Sequence, residues 1–301
     1  MTPRTRCSVI APILLLLSSC ITTRTTSTRP DATSLPSYEQ LVARYNRNVE
    51  QISRLWSFAV VELTWREDGR SRFEQGEGQL AVVLPDRMSL TVGKLGHDVL
   101  RAGCNQTQYW LFDMRGSENT LHLGHHASVP RSVGGASSLP IRPRDLIRLL
   151  GVVRIDAPVG DTSPIVERFK GDYLIEPPGC NCRMVLDPKT ARPVRIDLLD
   201  ERGYSRVTAR HERYGHLKTE GVSPGRWPFV ATLITMTDAR KRGRINLALS
   251  DTVGDSDAIN PRWFDPALLA KALKPDVVVD MDQRPVAPPA ASSDVEEMST
   301  E

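Results

Sequence analysis

The 301-residue chain opens without an apolar run that could cross a membrane as a helix: Ile13 to Leu17 is far too short for roughly 30 Å of hydrocarbon. Aromatic residues are scarce, at 6 %, so any core must rest on Val, Ile and Leu, which are plentiful. Neither charge sign dominates. With Arg4 and Arg6 set aside, Lys and Arg fall by two from 39, against 36 Asp and Glu, which excludes a net basic field that would gather nucleic acid or acidic lipid. Catalytic signatures are missing too. There is no Gly-x-Ser-x-Gly, no Gly-x-x-x-x-Gly-Lys and no His-Glu-x-x-His. The expectation is a protein that is not an enzyme and needs no cofactor or metal.

What is present at the start is an address. Arg4 and Arg6 precede the short apolar run, and Leu17-Ser18-Ser19-Cys20 closes it, the layout of a secretory signal. The cysteine after the small residues resembles the lipobox of bacterial lipoproteins. The resemblance implies that residues 1–19 are removed and that Cys20 carries the lipid that anchors the protein to a membrane. Ile21 rather than Asp follows it, which resembles an outer-membrane destination facing the periplasm. Of the five cysteines, Cys104, Cys180 and Cys182 are then left in an oxidising compartment. An odd number allows one disulfide and a spare thiol. Cys104–Cys180 and Cys104–Cys182 are both open, whereas a direct Cys180–Cys182 bridge is expected to be strained. A metal-binding Cys-x-Cys is the sharper alternative.

Residues 20–36 comprise the lipidated cysteine and a Thr/Ser/Pro-rich tether, and residues 275–301 a Pro/Ala/acidic tail expected to be disordered. Residues 37–274 form the folded unit. Ser37 and Gln40 make a capping box, and Tyr38, Leu41, Val42, Tyr45, Val49 and Ile52 predict an amphipathic helix to about Leu55. Strands follow: Phe58 to Trp65, then Phe73 to Leu84 after an Asp68-Gly69 turn, with Gly76 and Gly78 suggesting a bulge or sharp bend. Met88, Leu90 and Val92 alternate with Arg87, Ser89 and Thr91. Further strands are expected at Asp98–Ala102, Gln108–Met114 and Thr120–Gly124. After a Ser/Pro/Gly-rich loop at 127–141, Pro143 to Gly151 predicts a short helix. Ile165–Glu176, Arg183–Asp187, Pro193–Leu199, Ser205–Arg213, Phe229–Thr237 and Arg244–Leu249 complete about a dozen strands. The fold class expected is mainly β (α+β), an antiparallel meander that curls toward an incomplete barrel, with an N-terminal and a short internal helix.

The order of several short segments resembles the periplasmic lipoprotein carrier and its outer-membrane lipoprotein receptor. These are the leading helix into Phe58-Ala59-Val60, Leu84-Pro85-Asp86-Arg87-Met88, Gln108-Tyr109-Trp110-Leu111-Phe112, the Pro143–Gly151 helix, Leu186-Asp187-Pro188-Lys189-Thr190, and Pro193-Val194-Arg195-Ile196 running into Asp200-Glu201-Arg202-Gly203-Tyr204. The resemblance implies a half-open barrel covered by helices, whose apolar cavity accepts acyl chains of lipids or lipoproteins. Phe58, Val60, Met88, Leu90, Leu111 and Ile196 would face inward and line it; the same residues equally describe a filled core. The receptor exposes a leucine in a strand-connecting loop, and Gly93-Lys94-Leu95-Gly96-His97 offers Leu95. The functional expectation is lipid or lipoprotein localisation in the cell envelope. The alternative is an envelope scaffold with a filled barrel that recruits protein partners.

Other constellations carry less. His122-x-x-His125-His126 has three imidazoles but no acid within the motif to orient them, so surface histidines are the default, with His122 opposite Leu121 and Leu123 and toward solvent. His211-Glu212 and His216 lie near a strand end without a nucleophile. Asp238 to Arg244 reads as a solvated basic turn.

Overall fold

The computed structural model describes residues 35–67, 69–128, 141–156, 164–239, 243–254 and 256–282. Cys20, residues 1–34, most of the 127–141 loop, the tip of the basic turn and residues 283–301 lie outside them.

The first helix, α1 (Tyr38–Val49), starts where its capping box dictates. The Gln40 amide donates to Ser37 Oγ at 3.3 Å, and the Ser37 amide donates to Gln40 Oε1 at 3.1 Å. It ends earlier than its apolar stripe suggested, because Ile52 belongs to the link and Arg54 already begins a strand. Among the described residues, fifteen strands then make one sheet. They are β1 (Arg54–Glu67), β2 (Arg70–Val83), β3 (Arg87–Lys94), β4 (His97–Cys104), β5 (Gln108–Asp113), β6 (Thr120–His125), β7 (Ile165–Phe169), β8 (Asp172–Glu176), β9 (Cys182–Leu186), β10 (Pro193–Leu199), β11 (Ser205–His216), β12 (Lys218–Thr219), β13 (Phe229–Asp238), β14 (Gly243–Gly254) and β15 (Val277–Asp280). Two more α-helices lie among the described residues, α2 (Pro143–Leu149) and α3 (Pro266–Leu273).

The order across the sheet is β15-β6-β5-β4-β3-β2-β1-β14-β13-β11-β10-β9-β8-β7, with β12 beside β14. Neighbours run antiparallel except β15 on β6 and β12 on β14. The two end strands do not pair, so the sheet is an incomplete barrel, as expected. Its inner face carries the main core. Leu63 and Val61 from β1, Leu80 and Val82 from β2, Met88, Leu90 and Val92 from β3, and Ile245 and Leu247 from β14 meet Leu41, Tyr45 and Val49 of α1 and Ile147 and Leu149 of α2. The outer face of the β1–β6 arm has its own apolar cluster. Trp110, Phe112 and Leu121 are buried there under Phe264 and Leu269, the last from α3.

Several expectations are corrected. Phe58 and Val60 face outward: Phe58 is 48 % exposed, whereas Ala59, Val61 and Leu63 are buried. Their segment is apolar on both sides, so alternation alone could not set the phase; pairing of Val61 with Leu247 and Leu63 with Ile245 does. Gly76 and Gly78 form no bulge, since β1 and β2 pair without a register shift along their whole length. A Cβ at Gly78 would instead fall on the Thr91 carbonyl, so the glycine allows β3 to cross close by. Ile165–Glu176 is a hairpin, β7–β8, turning at Lys170-Gly171, both with positive φ. The expected disordered tail begins with β15.

The disulfide is Cys180–Cys182, and Cys104 is the free, buried thiol. The objection to a direct bridge assumed extended chain, in which alternate Cα atoms lie about 6.6–6.8 Å apart. Here the chain turns, with the Cys182 amide donating to the Cys180 carbonyl at 2.6 Å, and the Cα separation is 5.1 Å. That lies within the usual range for a bridge. Burial pushes the Cys104 thiol up to about 12, and its sulfur donates to the Asp86 carbonyl at 3.4 Å, so it is an inert core group.

Candidate functional site: an apolar interior closed by a short helix

The inner face of the sheet is closed by α2. Pro143 sits in its first turn, where its fixed φ suits a helix start, and Gly151 at φ +70° ends it. Between α2 and the sheet lies an apolar gap. Val61, Leu63, Met88, Leu90, Leu100 and Met236 line it from the sheet, and Ile141, Arg142, Pro143 and Leu146 from the helix side, Arg142 being the one charged residue among them. Its volume is about 30 Å³, the space of about one water molecule. An acyl chain therefore has no room there while α2 stays in place.

Polar contacts from β11 and from α1 hold α2 and the segment after it. Asp145 on the helix pairs with Arg206 on β11 at 2.5 Å. At its other end the Leu149 carbonyl accepts from His211 Nε2 at 2.8 Å. That acceptor requires the proton on Nε2, which leaves Nδ1 buried and without a hydrogen-bond partner among the described residues. Burial drives the His211 pKa down to about 4, with the bond to Leu149 opposing, so the ring is neutral at pH 7. Beyond the helix, Tyr45 of α1 donates to the Gly151 and Val153 carbonyls at 3.1 and 2.7 Å. Asn46 grips Ile155 with both ends of its amide, at 2.8 and 3.0 Å. Burial raises the Tyr45 phenol, which stays protonated as a donor.

Met88, Leu90, Leu111 and Ile196 are all buried in the main core, and Met88 and Leu90 border the gap directly. Phe58 and Val60 are not brought to it. His211, expected only as a residue near a strand end without a nucleophile, lies instead beneath α2. The signal was the alternation Val207-x-Ala209-x-His211, which puts the imidazole on the inner face with two buried neighbours.

Leu95 stands on the β3–β4 hairpin, 93 % exposed. It and Gly96 have φ of +52° and +83°, a two-residue turn with both residues left-handed, a position that ordinarily selects Asn-Gly. The three clustered histidines have separate partners. His122, paired across from Leu111, turns to the inner face rather than to solvent, half-buried, with its pKa lowered by burial against the pull of Asp113. Leu121, on the opposite face, lies under α3, so the inner side was the only one left to it. His125 meets Asp282 at 2.6 Å, and His126 reaches the Asn105 carbonyl at 2.9 Å. His211 lies beneath α2, and the ring of His216 packs at 4.2 Å from Phe229.

No protein-family model and no curated protein matches the chain. Solved structures do. A DUF1329 family protein from Desulfovibrio piger aligns over 76 % of this chain and 96 % of its own, at 12 % identity and a TM-score of 0.50. A putative outer membrane lipoprotein-sorting protein domain from Vibrio parahaemolyticus aligns over 76 % and 97 %, at 15 % identity and a TM-score of 0.48. A LolA superfamily protein from Nitrosomonas europaea covers 77 % and 99 %, at 11 % identity and a TM-score of 0.46. The first of these likenesses is one of fold: this chain shares the architecture of the Desulfovibrio structure.

Proposed function

We propose that the protein is an envelope lipoprotein, held to the outer membrane through Cys20, that takes an acyl chain between its inner sheet face and α2. The observation that carries this reading is the largely apolar gap under a short helix, bordered by one cationic side chain, Arg142. Displacing α2 would open a trough lined by Met88, Leu90, Leu100 and Met236. Each CH₂ that enters it from water contributes about 0.8 kcal/mol, so a long chain can offset the loss of the helix's own contacts. Leu95, exposed on a rigid hairpin, is the residue we assign to contact with the acceptor membrane. Transfer of a buried chain between two apolar sites needs no catalytic group.

The small gap favours a second reading, a scaffold whose interior is simply a filled core. The two separate in one experiment. Protein lacking residues 1–36 is titrated with a fluorescent fatty acyl probe, alongside Asp145→Ala and Arg206→Ala. The carrier reading expects saturable binding, displaced by palmitate and accelerated severalfold in both variants, while Leu95→Glu impairs delivery to vesicles more than binding. If folded protein and both variants leave the probe unbound, the interior is a core and the scaffold reading stands.

A further inference from the structure

The outer face of the sheet holds a second concavity whose chemistry differs from the interior. It lies where β2, β3 and β4 pass beside the short turn Pro261–Phe264, and its volume is about 200 Å³. Trp263 forms one wall. Gln79, Ser89, Thr91, Asp98 and Arg101 surround the rest. Arg101 and Asp98 are already paired, with Nε at 2.9 Å and Nη2 at 2.6 Å from Oδ2, so together the two side chains bring no net charge. Gln79 is steadied by the Trp56 indole, which donates to its Oε1 at 3.4 Å. The hydroxyls of Ser89 and Thr91 make no hydrogen bond with another described residue, although Ser89 is buried.

These features define the ligand. A free anion would have to compete with Asp98 for Arg101, and an acyl chain would strand the hydroxyls without partners. A neutral polyhydroxylated ring meets both demands. The C–H face of a pyranose is apolar and stacks on an indole. Its hydroxyls radiate in the ring plane, each a donor and an acceptor, and planar carboxylate, guanidinium and amide groups can hold adjacent pairs. The cleft is smaller than the roughly 300–1,000 Å³ of drug-sized pockets, which suits one ring. It does not end there. Gln79, Thr91 and Asp98 also border an open groove of about 800 Å³ that runs past Glu77 to Phe73 and the Leu95 hairpin. Phe73 is 60 % exposed, a second aromatic surface at the far end. We propose that this outer groove binds a neutral oligosaccharide, with one pyranose ring seated against Trp263 between Gln79 and the Asp98–Arg101 pair.

The test is calorimetric titration of the full chain in detergent with neutral tetrasaccharides of glucose, mannose, galactose and N-acetylglucosamine. At least one should bind saturably, and palmitate should leave that binding unchanged. Trp263→Ala and Arg101→Ala should each weaken it by about tenfold or more. Thr91→Ala, which removes a hydroxyl with no hydrogen-bond partner among the described residues, should weaken it severalfold with an unchanged melting temperature. The proposal is overturned if none of the four binds at about 10 mM, or if the bound sugar is indifferent to all three substitutions. Neither result touches acyl-chain binding, which concerns the opposite face of the sheet; the two readings share only the Leu95 hairpin, which none of these substitutions alters.

Discussion

At the scale of single residues, the consequences are clearest where a polar group is buried. His211 is neutral in the fold, with a pKa near 4, against about 6.5 in an unfolded chain. Above pH 6.5 both states are neutral and the difference contributes nothing. As pH falls from 6.5 toward 4, the unfolded chain takes up a proton that the folded one refuses, so stability falls, by about 3 kcal/mol in full. Below pH 4 both states are protonated and the loss levels off. His211→Gln keeps a donor for the Leu149 carbonyl but cannot titrate. Its unfolding free energy, followed in urea at pH 6.5 and 4.5, should fall less with acid than that of the parent chain. An equal fall would mean that other groups carry the acid sensitivity. Asp197 is the opposite case, a carboxylate fully removed from water yet satisfied by Arg195 at 2.8 and 3.0 Å and by the Thr208 hydroxyl at 2.6 Å. Its partners show how a charge is buried without an unpaired neighbour.

At the scale of elements, what could be read in advance was local. Ser37, Gln40 and the stripe from Tyr38 to Val49 lie within a few turns of one another and defined α1. The alternation of Met88, Leu90 and Val92 gave the inner face of β3 correctly, because Arg87 and Thr91 leave only one apolar side. The phase of β1 was illegible for the converse reason, as Phe58 and Val60 rival Ala59 and Val61. β15 and α3 were missed because their pairing and packing depend on partners far away in the chain. β15 carries Val277, Val278 and Val279, which look like tail until β6 is present to pair with them. Its place has a measurable effect. It covers the β6 edge, and Asp282 beyond it accepts from the His125 amide at 2.9 Å. Deleting residues 275–301 should leave that edge bare, and a bare edge pairs with other chains. The shortened protein should sediment as larger species than the full chain at equal concentration; unchanged sedimentation would show that the edge protects itself.

At the scale of the whole molecule, the central fact is that β1 lies between β2 and β14. Its partner on one side is next in sequence, and on the other it is nearly the whole folded chain away: Ala59 pairs with Leu249 and Leu63 with Ile245. The two arms of the sheet, β2–β6 and β13–β7, share one inner core through this strand and through α1, which bridges to the second arm where Asn48 holds the Phe229 backbone at 2.7 and 2.8 Å. Such non-local pairing slows folding, and the main core is shared by both arms. The arms should therefore unfold together. Trp56 and Trp65 report the shared strand β1, Trp110 the first arm and Trp227 the link into the second. Fluorescence of the intact protein, of a variant keeping only Trp227, and far-UV circular dichroism should give one urea midpoint; two midpoints would show that each arm stands alone.

The turn at Leu95 has a further consequence, one of entropy. A leucine at the tip of a long loop would lose backbone freedom on meeting an apolar surface, at about 1–2 kcal/mol per residue ordered. Leu95 has almost none to lose, because the β3–β4 ladder and the left-handed pair with Gly96 already fix its backbone. Whatever apolar phase it meets, the contact therefore retains nearly the whole transfer free energy of the side chain, about 1.5–3 kcal/mol. That is a factor of roughly ten to a hundred in residence, delivered by a single side chain on a rigid stem.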